Sequence, residues 1–120
     1  MLQRPIPDRD YLVLLSELPL KRFRDLPTFG SYTRQIERQL RTTPGVVGYS
    51  LKGRLLAKLF WTLSVWESEA ALQAFVARDP HFHVMSAMQP RMGQARFLRW
   101  RIRGAEVPPR WRDALERRAR

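Results

Sequence analysis

The stretch FWTLSVWESEAALQAFVARDPHFH, residues 60–83, holds two tryptophans and both histidines of the chain. Imidazole changes charge near neutral pH, so His81 and His83 are the first candidates for proton transfer or ligation. Asp79-Pro80 suits a helix start, with Asp as N-cap and Pro at the first helical position, and this predicts a short helix over roughly 80–89. On it, His81 shares a stripe with Val84, Met85 and Met88, while His83 lies about 200 degrees round the axis. Residues two apart on a helix do not meet, so the pair cannot chelate one metal; on an extended segment they would share a face and the argument would reverse. No carboxylate cluster at ligand spacing accompanies them, and no structural metal is expected.

His81 sits near the positive end of that helix, which favours neutral imidazole, and on the stripe expected to face the interior. It could act as general base, hydrogen-bond donor or haem ligand; the competing reading is a capping or core histidine satisfied by backbone. His83 reads as a surface residue. Trp66 ends a strand, where an aromatic could border a cavity or simply pack, and Trp61, Trp100 and Tyr49 read as core. Arg99, Arg101 and Arg103 share one strand face, as a carboxylate or phosphate site or as a solvated edge. Ser, His and Asp are present without a nucleophile elbow, and GSY, GYS and GRL lack the further glycines and Lys of a phosphate cradle.

The elements that must position these residues follow from periodicity. DYLVLLSEL, residues 10–18, reads as a strand buried on both faces. Thr28 can cap a helix whose Phe29, Tyr32, Ile36 and Leu40 form one apolar stripe, with Arg34, Arg38 and the Glu37/Arg41 pair toward solvent. Pro44-Gly45 stops it. VVGYSLKGR alternates, with Val47, Tyr49 and Leu51 on one side and Val46, Gly48, Ser50 and Lys52 on the other. KLFWTLSVW is the third strand, dividing Leu59, Trp61, Leu63 and Val65 from Phe60, Thr62, Ser64 and Trp66. Ser68 caps a helix to about Arg78 that buries Leu72, Phe75 and Val76. After the Pro80 helix, ARFLRWRIR is a fourth strand, with Leu98, Trp100 and Ile102 opposite Phe97, Arg99, Arg101 and Arg103.

The order strand, helix, strand, strand, helix, strand is the split βαβ, ferredoxin-like α+β arrangement, βαββαβ, with one four-stranded antiparallel sheet and both helices on one face. Residues 1–107 form this domain, and 108–120 a basic C-terminal helical extension with Trp111, Ala114 and Leu115 inward. The sheet's other face is left bare, and a face including Val13, Leu15, Phe60 and Trp66 needs a cover; a second copy would supply it, so a homodimer is expected.

The chain has 120 residues, the length of one domain, and no cysteine, which excludes disulfides, zinc thiolates, iron-sulfur clusters and thiol nucleophiles. No apolar run approaches a membrane span, no leader is evident, and a soluble cytoplasmic protein is expected. Net charge is +11, from 22 basic and 11 acidic residues, spread evenly over both halves. Without an aromatic-basic RNA signature or a helix-turn-helix pattern, nucleic-acid binding ranks third among the functions considered.

The element order, with PGVVGYSL and TLSVWESEAALQAFV, resembles the dimeric α+β barrel superfamily of antibiotic-biosynthesis monooxygenase-like and haem-degrading proteins. The longer run FWTLSVWESEAALQAFVARDPHFHVM, with RMGQARFLRWRIRG, looks more like a sub-family of unknown function related to spheroidene monooxygenase. The resemblance implies a homodimer with a pocket between helices and sheet. Haem-degrading relatives carry an Asn on the first strand, a Trp nine residues after the junction Trp and a His ten beyond; the matching positions here are Phe75 and Met85, and the chain has no Asn. Haem is thus a possible cofactor without its usual partners. The resemblance and the apolar lining together give the leading expectation: a monooxygenase-like protein holding a bulky apolar or aromatic molecule, or haem, against Trp66, Phe75 and Met85, with His81 as catalytic candidate. The alternative is a non-catalytic ligand-binding or interaction module on the same fold.

Overall fold

The computed structural model describes residues 2–120. Its sheet comprises β1 (Asp10–Pro19), β2 (Val46–Arg54), β3 (Leu59–Trp66) and β4 (Arg96–Arg103), in the order β2-β3-β1-β4, every pair antiparallel. The helices are α1 (Leu26–Arg41), α2 (Glu69–Ala77), α3 (His81–Met88) and α4 (Trp111–Ala119). This is the ferredoxin-like α+β fold expected from the element order, with an added C-terminal helix. No helix among the described residues is long and apolar enough to cross a membrane.

Register sorts the side chains into two layers. Leu12, Leu14, Ser16 and Leu18 of β1 stand opposite Trp66, Ser64, Thr62 and Phe60 of β3, and this face lies beneath α1, α2 and α3. Tyr11, Val13 and Leu15 pack on the other face with Trp61, Leu63 and Val65. Val13 and Leu15 therefore belong to a different layer from Phe60 and Trp66, and the single bare face expected from sequence does not exist. The Val13 layer is closed by α4, whose Ala114 is fully buried there beside Trp111 and Leu115. A two-residue period separates faces within a strand, but only cross-strand register says which faces coincide.

A second departure is local to β2. Strict alternation would place Val47 with Tyr49, but the register shifts between Val46 and Gly48. The bulge gives Val47 to the α4 layer and Val46 to the layer with Trp66 and Tyr49. An extra residue in one strand reverses the alternation beyond it. Gly45, just before, takes a positive φ of 85° and its carbonyl accepts from Glu67 N–H at 2.8 Å, a backbone shape that favours glycine.

Helix starts also differ from the sequence reading. A 3-10 turn over Phe23–Asp25 runs directly into α1, so Thr28 lies inside the helix and is not its cap. Pro27 fits because the first turn needs no backbone donor there. Ser68 does cap α2, accepting from Ala71 N–H at 3.1 Å. Val76, expected inside, is 38% exposed.

Candidate functional site

Between the helical layer and the sheet lies a cavity of about 890 Å³, within the usual range for small-molecule sites. Its floor is the Leu14–Ser16–Leu18 face of β1 with Phe60, Thr62, Ser64 and Trp66 of β3. The stripe predicted for α1, Phe29, Tyr32, Ile36 and Leu40, forms a wall, and Leu72, Phe75, Val84 and Met88 close the far side. His81, Trp66, Phe75 and Met85 all line this cavity, whereas His83 and the strand arginines Arg99, Arg101 and Arg103 do not.

The tools these residues offer are more restricted than their types allow. Trp66 is almost fully buried; its indole N–H donates to Ser64 Oγ at 2.9 Å and its ring lies 5.2 Å from that of Phe75, so it serves as a fixed apolar wall. Phe75 in turn packs 4.9 Å from the imidazole of His81. Met85 is partly exposed at the cavity's edge.

His81 is half-buried, and its Nδ1 lies 3.3 Å from the Val76 carbonyl. A proton on Nδ1 donates to that carbonyl, leaving Nε2 as the unprotonated nitrogen. Burial pushes the imidazole below its usual pKa, opposed by the Val76 carbonyl, so the ring is neutral at physiological pH. The cap expected from Asp79 is absent: α3 begins at His81, and Gln39 Oε1 of α1 accepts from His81 N–H at 3.0 Å. Gln39 Nε2 meanwhile donates to the carbonyls of Phe75 and Arg78 at 3.3 and 3.4 Å. One buried amide thus ties α1, α2 and α3 together and sets where His81 sits. His83 is exposed, its ring edge-on to Tyr32 at 6.3 Å, and does not meet His81.

The polar feature that sequence reasoning missed is on the β2 side. Tyr49 Oη donates to Glu37 Oε2 at 3.0 Å, and both residues line the cavity. Burial, then the neighbouring Glu37 carboxylate, raises the Tyr49 pKa above its usual value, so the phenol stays protonated. Tyr49 is the cross-strand partner of Ser64. A Tyr hydroxyl that spends its proton on a carboxylate presents oxygen lone pairs, whereas Ser64, already accepting from Trp66, has its own proton to give. The cavity floor therefore offers an acceptor and a donor side by side. Periodicity alone places Glu37 toward solvent with Arg41; its position between Ile36 and Leu40, at the border of the apolar stripe, is the one signal in the sequence that it turns inward.

The residues do not fit a haem-degrading site. Among the described residues His81 is the only imidazole lining the cavity, and it stands against a backbone carbonyl and a phenylalanine ring. Among the described residues no three His, Cys, Asp or Glu side chains gather to hold a metal ion. Arg99 pairs with Glu69 of α2, and Arg103 lies 3.6 Å from Asp10, so two of the three strand arginines are engaged at the exposed β4 edge.

No family model matches this sequence, and no curated protein matches it either. Solved structures do. A "putative antibiotic biosynthesis monooxygenase" from Caulobacter crescentus superposes with a TM-score of 0.68 at 17% identity, over 77% of this chain and 89% of that one. One of the same description from Nitrosomonas europaea gives 0.67 at 11% identity, over 74% and 95%. A conserved protein from Methanosarcina mazei gives 0.68 at 10%, over 75% and 90%. At these identities the likeness is one of fold: the chain has the ferredoxin-like α+β fold of the antibiotic biosynthesis monooxygenase-like proteins.

Proposed function

We propose that this protein binds a bulky, largely apolar or aromatic molecule in the cavity between its helices and sheet, and that it belongs with the monooxygenase-like proteins in using that cavity for chemistry on the ligand. The observation that carries the reading is the cavity itself: about 890 Å³, walled by Phe29, Ile36, Phe60, Trp66, Phe75 and Met88, with the hydroxyls of Tyr49 and Ser64 side by side on its sheet side. Apolar walls supply affinity, and a few placed polar groups fix orientation. Tyr49, backed by Glu37, would receive a hydroxyl or N–H of the ligand, and Ser64 would donate to a neighbouring carbonyl or ether oxygen. Neutral His81, with Nε2 unprotonated, is the group able to accept a proton, which is its proposed catalytic role.

Native mass spectrometry of untreated protein tests the reading directly, with a retained apolar compound as the expected result. With that compound in hand, Tyr49→Phe should weaken binding by about tenfold, the value of one lost hydrogen bond to a partner left buried. Ser64→Trp, which fills the floor, should abolish it while the fold persists by circular dichroism. Retention of the compound by Ser64→Trp would refute the site.

A second reading, a binding module without catalysis, is favoured by a mostly apolar lining that contains a single imidazole. Oxygen uptake by the loaded protein separates the two, since a binding module consumes none, and His81→Ala should abolish uptake if His81 is the base. Haem titration checks the cofactor expectation; a Soret shift that survives His81→Ala would remove His81 as an iron ligand. The expected homodimer becomes a proposal of competition: a second copy can reach the Val13 layer only where α4 leaves it.

A further inference from the structure

Beside the cavity, the end of the sheet carries a surface that the proposed chemistry does not use. The hairpin between β2 and β3 turns through Leu55–Lys58, closed by a hydrogen bond from Lys58 N–H to the Leu55 carbonyl at 3.0 Å. At its tip Leu56 is 93% exposed and Leu55 62%, and the neighbouring Phe23 is 51% exposed. Large apolar side chains at such exposure gain nothing from the fold and cost solubility, so a cluster of them calls for a partner.

Three contacts make this a built surface rather than a loose loop. Lys58 Nζ stands 4.9 Å over the Phe23 ring, joining the hairpin to the segment after β1. Leu20 N–H donates to the Lys58 carbonyl at 2.8 Å, and Lys21 N–H to the Arg91 carbonyl at 3.0 Å. Around the apolar tip the two segments LKRFRDL and GRLLAKLF supply Lys21, Arg22, Arg24, Arg54 and Lys58 against one acid, Asp25. Asp25 is already paired with Arg91 at 3.1 Å, while none of the five cations has an ion-pair partner among the described residues.

We propose that this end of the molecule docks on an anionic phospholipid surface, with Leu55, Leu56 and Phe23 entering the headgroup boundary and the five cations meeting the lipid charge. Apolar side chains ringed by Lys and Arg are what an interfacial binder needs, and each cation near an anionic bilayer multiplies the partition by about fivefold. Lys and Arg can hold their charge in the headgroups while their stems lie along the apolar tip. A second copy of the chain is a poor occupant, because two such basic rings repel. A nucleic acid would use the cations and leave the leucines without a purpose. The position matters as well: Leu55, Gly53, Leu26 and Pro27 also line the cavity, so docking here would set the cavity beside the bilayer. The docking itself stands apart from the identity of the cavity's ligand, and its test reads membrane binding alone.

Co-sedimentation of the full chain with vesicles decides it. Binding is expected to vesicles of phosphatidylcholine with phosphatidylglycerol, not to phosphatidylcholine alone, and to weaken as salt is raised. Leu55→Ser with Leu56→Ser should reduce the partition at least tenfold while retention on heparin is unchanged. Arg54→Glu should also reduce it. Arg101→Glu, the same charge change opposite Leu12 at the far end of the sheet, should leave binding within about twofold, since the field of that residue is screened there. Equal binding by the Leu variant and its parent, equal loss in Arg101→Glu, or no binding to anionic vesicles would each overturn the proposal. The first outcome would indicate a general polyanion surface, of which nucleic acid is one form.

Discussion

Two side chains carry more of the site than their types suggest. Gln39 is buried and satisfies two carbonyls and one N–H across three helices. Gln39→Ala should cost about 1–3 kcal/mol in chemical denaturation, the range for stranding buried backbone groups, and should loosen α3, seen as faster amide exchange at His81–Val84. His81 itself gives a pH signature. Its folded-state pKa lies below the ordinary 6.5 because burial disfavours the charged ring. In the window between the two pKa values the unfolded chain binds more protons, so stability falls as pH drops below about 6.5. Midpoints measured from neutral to mildly acidic pH should fall less in His81→Phe than in the parent. The inward, neutral His81 was legible from sequence, but the role of Gln39 was not: it sits on a helix among polar residues, and only the meeting of α1 with the α2–α3 junction gives it partners.

At the scale of elements, α4 is the informative case. Its Arg118 makes two hydrogen bonds to Glu17 of β1, at 2.7 and 2.8 Å, and Trp61 Nε1 donates to the same carboxylate at 3.0 Å. The Glu17 pKa is lowered chiefly by its hydrogen bond from Arg118, against the opposing effect of burial. A carboxylate with a depressed pKa contributes stability above its unfolded value and loses it as pH falls through the folded one. Acidification below about 4.5 should therefore release α4 in the parent, read as a red shift of tryptophan fluorescence. Glu17→Gln should show a weaker dependence in the same window. The helix was foreseen with the correct inward residues, Trp111, Ala114 and Leu115; what it packs on was not, because contacts between Glu17 and Arg118 span most of the chain.

For the whole molecule, the consequence is a sheet whose central strands, β1 and β3, are covered on both faces within one chain. Ala114 has no exposed surface, and Ala114→Arg would force α4 off the Val13 layer, since a charge cannot be buried there unpaired. The uncovered face, with Tyr11, Val13, Leu15, Trp61 and Leu63, would then be open to a second copy. Light scattering after gel filtration should show a larger mass for this variant than for the parent at equal concentration. An unchanged mass would mean that the second copy does not compete with α4.

Periodicity and breakers fixed much by themselves: the four strands, the α1 stripe, the Ser68 cap and the ferredoxin-like order all follow from residues within one turn or one strand of each other. The sequence also named Trp66, Phe75, His81 and Met85, which do share a cavity. The tertiary structure decided what depends on pairing at a distance. Register assigned Val13 and Phe60 to opposite layers, a one-residue bulge moved Val47, and helix docking turned Glu37 toward Tyr49 rather than toward water. Local rules fix which way a side chain points from its own backbone; only the packed sheet and helices determine what it meets there.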